Sequence, residues 1–309
     1  MSVVDYSSVR HQGRGLAGGL MTDRSMADKV CAITGPTSGI GRATALALGR
    51  KGARLILLCR SPEKGAELAA ELKALGAEAE VIEANLASLS SVARAAERLS
   101  TRAPRLDVLI NNAGLINARR RETVDGIEEM FAVNHLAHFL LTNRVLQNLR
   151  AAPEGRIIHV ASGAHAFVNK FDFEDYTWHN RRWATMKAYG HSKLANLLFN
   201  RSLSLRLGTT GSVISNALHP GAVGSNMGSN NGWTGKLGMA LMKPFFLSPE
   251  KGAETSIYLA SAAQAAQHRG EYFIKCRTAK PKPWAEDDSA AERLWGLSAA
   301  LLAERQLSV

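Results

Sequence analysis

From Lys29 onward the chain alternates short apolar, often β-branched runs with longer segments rich in Ala and Leu. The two periodicities predict strands and helices in strict turn. Strands are expected at 29–34 (KVCAIT), 53–59 (ARLILLC), 78–83 (EAEVIE), 106–110 (LDVLI), 156–161 (RIIHVA), 212–218 (SVISNAL) and 271–275 (EYFIK). Helical patterns occupy about 40–51, 62–75, 88–101, 124–150, 184–207, 249–262 and 288–304. This order of elements is that of an α/β domain, a parallel sheet covered by helices on both faces.

No internal repeat or low-complexity linker interrupts the pattern, so residues 28–309 are expected to form one domain. Residues 1–27, rich in Gly, Ser and charge, are expected to be a loosely held extension. Two connections are long for a compact domain, 163–183 and 221–247. Both follow strand carboxyl ends, where open parallel sheets collect ligands, and both are candidate binding loops; the alternative is variable surface loops.

Composition removes several classes of function. Of 309 residues, 46% are hydrophobic and 21% charged, which suits a globular enzyme. Cys31, Cys59 and Cys276 are scattered and form no C-x-x-C pair, which argues against a disulfide framework or zinc site and for a cytoplasmic setting. No stretch reaches the roughly 18 apolar residues of a membrane span, and residues 1–27 lack a signal-type apolar core. The net charge of +11 is spread along the chain, with Arg119–Arg121 the one run of three, so it reads as solvated surface and no nucleic-acid partner is expected.

The first strand runs into TGPTSGIGRATALAL, where Gly35, Gly39 and Gly41 open a helix. Glycines here permit a positive-φ turn and close approach to a pyrophosphate, whose charge then sits at the positive end of the helix. The second strand ends LLCRSPEK. An acid at this place bonds a ribose 2′-hydroxyl, whereas an arginine suits a 2′-phosphate. With Cys59 at the acid's place and Arg60 next, NADP(H) is expected rather than NAD; alternatively Arg60 begins a solvated helix entry. Asn111, Asn112, Ala113 and Gly114 end the fourth strand, where side-chain amides can hold a turn and line a nucleotide crevice.

Tyr189 and Lys193 stand four apart in AYGHSKLANLLF and so share a helix face. Taken alone they form an ordinary surface pair. Ser162 ends the fifth strand, however, so chain order carries all three groups to one sheet edge. There the ammonium is expected to lower the phenol's pKa from about 10, making Tyr189 an acid/base while Ser162 polarises a substrate oxygen.

Five ordered motifs, TGPTSGIG, NNAG, VASGAH, YGHSK and HPG, resemble the short-chain dehydrogenase/reductase superfamily. NHLAHFLLT, YGHSKLANLLF and the tail GEYF…AERLWGLSAALL resemble its retinol dehydrogenase-like branch. The resemblance implies a Rossmann-type doubly wound sheet of about seven strands in the order 3-2-1-4-5-6-7. It implies that Asn134 completes a tetrad with Ser162, Tyr189 and Lys193 and holds a water that links the lysine to solvent. It also implies coenzyme contacts from Gly35, Thr37, Ser38, Gly39, Ile40, Gly41 and Arg60, from Asn85 and Leu86 at the adenine, and from Asn112, Ala113 and Gly114. Tyr189, Lys193, Pro220, Gly221 and Val223 would lie by the nicotinamide. Asn85 stands where an aspartate is usual, Pro36 and Thr37 replace commoner loop residues, Ala161 replaces a serine, and Ser225 a threonine.

Relatives in this branch often carry an N-terminal membrane anchor, and none is seen here. The candidate loops hold Phe167, Phe171, Phe173, Tyr176, Trp178, Trp183, Trp233, Phe245 and Phe246. These rings either wall a site for an apolar carbonyl or alcohol or pack the loops onto the core. His165, His191 and His219 lack carboxylate or thiolate neighbours at ligand spacing, so no metal site is expected. Three functions stay open: carbonyl/alcohol interconversion, reduction of an activated C=C bond, which distant similarity to protochlorophyllide reductases allows, and non-catalytic dinucleotide sensing. Helices 124–150 and 184–207 offer a possible face for a homo-oligomer, or their stripes are core.

Overall fold

The computed structural model describes residues 24–222 and 247–307. Strands β1 (Val30–Thr34), β2 (Arg54–Cys59), β3 (Ala79–Glu83), β4 (Val108–Asn111), β5 (Gly155–Val160), β6 (Val213–His219) and β7 (Tyr272–Ile274) match the seven predicted, and all pair in parallel. An eighth strand, β8 (Arg277–Ala279), closes the edge antiparallel to β7, giving the order 3-2-1-4-5-6-7-8. Its two-residue turn places Lys275 and Cys276 at φ 51° and 60°, and the Thr255 hydroxyl accepts the Cys276 N–H at 3.2 Å. Such a turn is usually announced by Asn-Gly or Asp-Gly; here the sequence is Lys-Cys, so no local signal marked it.

Side chains along each strand alternate between two cores. Leu55 and Leu57 join the layer beneath α1 (Gly39–Arg50), α2 (Pro62–Ala74) and α8 (Pro249–Ser261). Ile56 and Leu58 face the layer of α3 (Leu89–Arg102), the helices of 129–150 and α7 (Thr185–Leu207). Outside that layer, α9 (Asp288–Ala303) lies on α7, with Trp295 against Phe139 and Phe199 at ring distances of 4.8 and 5.9 Å. The helix stripes considered above as an oligomer face therefore pack, at these positions, on the chain's own C-terminal helix.

The helix expected over 124–150 differs in two ways. Residues 124–128 form a turn around Gly126 (φ 72°), and the helix begins only at Glu129, because the Glu128 carboxylate accepts the Met130 and Phe131 N–H groups, each at 2.8 Å. It then runs as α4 (Glu129–Phe131), a wide π turn (Ala132–Leu136), α5 (Ala137–Arg144) and α6 (Leu146–Arg150). Such π turns cluster at functional sites, and this one contains Asn134.

Candidate active site

The carboxyl ends of β1, β4, β5 and β6 meet at one edge of the sheet. The turn after β1 is held open for an anion. Gly35 adopts φ 63°, and a Cβ on Gly41 would fall 2.3 Å from the Gly35 carbonyl and 2.5 Å from Asn112 Nδ2, so only glycine fits. Asn112 Nδ2 donates to the carbonyls of Thr34 (2.8 Å) and Gly35 (3.2 Å), locking the loop to β4. Ser38 opens α1 without capping it by its side chain, whereas Ser61, Ser88, Ser248 and Asp287 cap their helices. The first N–H groups of α1, from Gly39 and Ile40 onward, thus remain suited to a pyrophosphate.

A cleft of about 350 Å³ borders this turn. Gly35, Thr37 and Ser38 form one side, Arg60, Asn85 and Leu86 the adenosine end, and Ala113 and Gly114 the inner end. Arg60 is exposed at the rim, and Lys64, one helical turn further on, joins it there. Lys64 was not foreseen, although its place four residues after Arg60 was a usable signal. The Cys59 thiol donates to the Ser61 carbonyl at 3.3 Å, and burial, aided by the nearby Glu63 and Glu83 charges, pushes its pKa up to about 11, so the thiol itself is uncharged. The Asn85 side-chain oxygen accepts the Ala87 N–H at 3.2 Å and so braces its own turn. The residues present fit a nicotinamide dinucleotide: a glycine cradle that a Cβ would fill, an uncapped helix end and a cationic rim.

Beyond the inner end, α7 presents Tyr189 and Lys193 on one face, and Ser162 ends the segment after β5. The Ser162 hydroxyl stands near enough to the Tyr189 phenol to favour its ionised form. Lys193 is buried; its Nζ donates to the Val160 carbonyl at 2.8 Å and lies 5.8 Å from the centre of the Tyr189 ring. A Cβ on Gly114 would stand 3.4 Å from both Lys193 Nζ and Asn134 Oδ1, so glycine leaves room where these groups converge. The four residues of the expected tetrad thus come together.

The expected lowering of the phenol's pKa is not what the protein alone produces. Burial pushes Tyr189 up to about 12, with the Ser162 hydroxyl acting against the rise. Lys193 is itself desolvated, and its own pKa is pushed down to about 8. Loss of hydration at the phenol dominates its ionisation.

Asn134 is more than a polar residue inside a helix. Its Oδ1 accepts the Leu115 N–H at 2.8 Å, and its Nδ2 donates to the Leu115 carbonyl and the Ser192 hydroxyl, both at 3.0 Å. Ser192 in turn donates to the Tyr189 carbonyl at 2.8 Å. His138 Nδ1 lies 3.1 Å from the Asn134 carbonyl and must donate to it, which makes Nε2 an acceptor for the Thr34 hydroxyl at 3.0 Å. Thr34 Oγ1 also accepts the Asn112 and Ala113 N–H groups, each at 3.0 Å. Ser192, His138 and Thr34 therefore tie the tetrad to the coenzyme turn. Sequence reasoning missed them because each looks like an ordinary polar residue until long-range contacts give it partners.

Pro220 and Gly221 follow β6 directly, Gly221 with φ 88°, and the Leu247 N–H donates to the Ala222 carbonyl at 2.8 Å. Val223, Ser225, Trp233, Phe245 and Phe246 lie outside the described residues, as do residues 1–23 of the expected extension. Of the loop aromatics that are described, Trp178 packs with Tyr189 in a cluster that also takes in Leu115, Ile116 and Trp183, whereas Phe171 belongs to the main core. Among the described residues no three His, Cys, Asp or Glu side chains gather at a metal-binding spacing, and no helix is long and apolar enough to cross a membrane. A second cleft, of about 400 Å³, lies between α7 and β7–β8 and is lined by none of the predicted site residues.

Fold and site together define a dinucleotide-dependent oxidoreductase of the doubly wound type. The family model described as short chain dehydrogenase matches residues 29–234, and the chain belongs to that family, in its retinol dehydrogenase-like branch. It is 40% identical to retinol dehydrogenase 13 of Homo sapiens over 281 residues, covering 89% of this chain and 84% of the relative. Retinol dehydrogenase 12 of Mus musculus is 39% identical, with 93% and 90% covered. Among solved structures, a Mycobacterium paratuberculosis protein of unassigned function superposes with a TM-score of 0.73 at 32% identity, covering 90% of this chain and 94% of its own. The Pseudomonas aeruginosa RhlG/NADP active-site complex gives 0.64 at 27% identity, covering 82% and 96%.

Proposed function

We propose that the protein is an NADP(H)-dependent oxidoreductase that interconverts a carbonyl and an alcohol on a hydrophobic small molecule, with Tyr189 as the acid/base. The observation that carries this reading is the convergence of Tyr189, Ser162 and buried Lys193, whose Nζ stands by Gly114 at the inner end of the dinucleotide cleft. Arg60 and Lys64 support the choice of NADP(H), since two cations at the adenosine end of the cleft suit a 2′-phosphate. An apolar substrate agrees with the Leu115, Ile116, Trp178 and Trp183 cluster at Tyr189, and with the retinol named for the relatives. A cytoplasmic setting is part of the same reading; Cys31, Cys59 and Cys276 are free thiols.

Bound coenzyme supplies or takes up hydride and, when oxidised, places a positive charge near the phenol. The glycine turn and the α1 N-terminus would hold its pyrophosphate, Arg60 and Lys64 its 2′-phosphate, and Lys193 its nicotinamide ribose. In reduction Tyr189 Oη gives its proton to the substrate oxygen, which Ser162 Oγ holds; in oxidation Tyr189 receives it. The ammonium of Lys193 favours the phenolate left behind, and Asn134 fixes the Leu115 backbone beside it.

The test is NADPH consumption against carbonyl compounds of graded size and polarity, with activated alkenes alongside. Apolar aldehydes or ketones should be reduced. Tyr189→Phe should lose at least roughly 100-fold in kcat while binding NADPH within about twofold of the parent. Consumption with alkenes alone would favour C=C reduction, and none with any compound would favour a sensor.

A further inference from the structure

His191, inside the YGHSK motif, has no part in the chemistry above. It follows Tyr189 by two positions, so at ~100° per residue it points to the opposite side of α7. There it meets the segment after β5. Its ring stacks on Phe171 at 4.1 Å and 14° and meets Trp178 edge-on at 6.5 Å. Its Nε2 accepts the Asp172 N–H at 2.7 Å, which fixes the tautomer with the proton on Nδ1. Burial keeps the imidazole neutral, pushing its pKa down to about 3 despite Asp172 and Asp175 nearby; the Arg181 charge acts the same way as burial.

Asp172 carries the constraint onward. Its Oδ1 accepts the Glu174 and Asp175 N–H groups at 3.2 Å, and its Oδ2 accepts Arg181 Nη1 at 2.8 Å. Arg181 also donates to the Asp175 carbonyl at 2.7 Å and lies 3.8 Å over the Trp178 ring. Trp178 holds φ 60°, an unfavourable backbone state for a bulky residue, and is buried in the cluster that contains Tyr189. Trp183 meets it edge-on at 5.7 Å. A continuous path thus leaves the catalytic helix at His191, passes through Asp172 and Arg181, and returns at Trp178 to the acid/base tyrosine two positions earlier.

We infer that His191 is a positioning residue that pins the 171–183 loop to the catalytic helix and so sets Trp178 and Trp183 as the apolar wall of the substrate site. The inference rests on the carbonyl/alcohol reading for its substrate, and on geometry alone for the loop. A wall held this way governs how well a long apolar chain is seated, while His191 itself points away from Tyr189 and touches neither the tetrad nor the coenzyme cleft.

Two variants separate the acceptor from the ring. His191→Phe keeps the stack on Phe171 and removes the acceptor; His191→Gln loses the ring but can present an oxygen to the Asp172 N–H. In full-length protein, amide exchange at Asp172 should quicken roughly tenfold or more in His191→Phe and much less in His191→Gln. KM for a long-chain aldehyde should rise about five- to tenfold in His191→Phe, with KM for a short aldehyde, kcat and NADPH affinity within about twofold of the parent, and His191→Gln should recover much of the loss. The inference is overturned if exchange at Asp172 is unchanged in His191→Phe. It is equally overturned if exchange quickens while the ratio of long- to short-chain KM stays put, or if kcat and NADPH affinity fall in step with KM. If the parent reduces no carbonyl at all, the functional reading fails, and exchange at Asp172 still decides whether His191 holds the loop.

Discussion

Replacing Lys193 by methionine should stabilise the coenzyme-free protein while removing most of its activity. Lys193 is buried, and desolvation lowers its pKa from the ordinary 10.5 to about 8. At 1.36 kcal/mol per pKa unit, that fall corresponds to roughly 3 kcal/mol of unfavourable charge burial. Methionine removes it but also forfeits the hydrogen bond from Nζ to the Val160 carbonyl, worth about 1 kcal/mol. A net gain of about 2 kcal/mol is expected at pH 7. The sign follows from proton counts. Between about pH 8 and 10.5 the unfolded chain keeps the lysine proton more fully than the folded one, so the parent gains stability as pH rises and the penalty fades. By pH 9.5 the advantage of the variant should shrink to under about 0.5 kcal/mol. Burial raises the pKa of Cys31 and Cys59, which makes the folded protein lose stability at high pH, but these thiols lie away from Lys193, so their effect is common to both proteins and cancels in the difference. Urea unfolding of both at pH 7 and 9.5 measures the effect. A variant less stable than the parent at pH 7, or one whose gain is the same at both pH values, would falsify the account of Lys193 as a strained buried cation; turnover should drop at least ~100-fold.

Gly41→Ala should cost about 1–3 kcal/mol and weaken NADPH more than roughly tenfold, because neither the Gly35 carbonyl nor the doubly bonded Asn112 amide can yield; urea midpoints and coenzyme titration check it. Arg60→Ala and Lys64→Ala should each weaken NADPH by about five- to tenfold and leave NADH within about twofold; equal losses for both coenzymes would remove the 2′-phosphate assignment. Trp295→Ala, which empties the space between Phe139 and Phe199 and strips the Arg206 guanidinium of its ring 4.0 Å away, should lower stability by about 2–3 kcal/mol in thermal or urea unfolding without touching coenzyme affinity.

The seven parallel strands were legible because each is a short apolar run between helical patterns, and local periodicity is enough to mark such elements. Ser162, Tyr189, Lys193 and the glycine turn were legible because chain order fixes which strand ends they follow, whereas Asn134 came only from the family resemblance. The misses have a common cause. The β7–β8 hairpin turns through Lys275 and Cys276, whose positive φ is held by a hydrogen bond to Thr255 from another element. The start of the helix at Glu129 is set by the Glu128 carboxylate, which caps it after the turn around Gly126.

The sequence by itself determined the order of elements, the placement of Gly35 to Gly41 at a strand-to-helix turn, and the arrival of Ser162, Tyr189 and Lys193 at one edge, because spacing along strands and helices dictates all three. Tertiary structure decided the electrostatics and the bracing. Whether the phenol is made more or less acidic depends on how much water burial removes, and whether His138, Ser192 or His191 matters depends on partners that lie far away in the chain. Desolvation and long-range hydrogen bonds exist only once the layers have packed, and no local pattern encodes them.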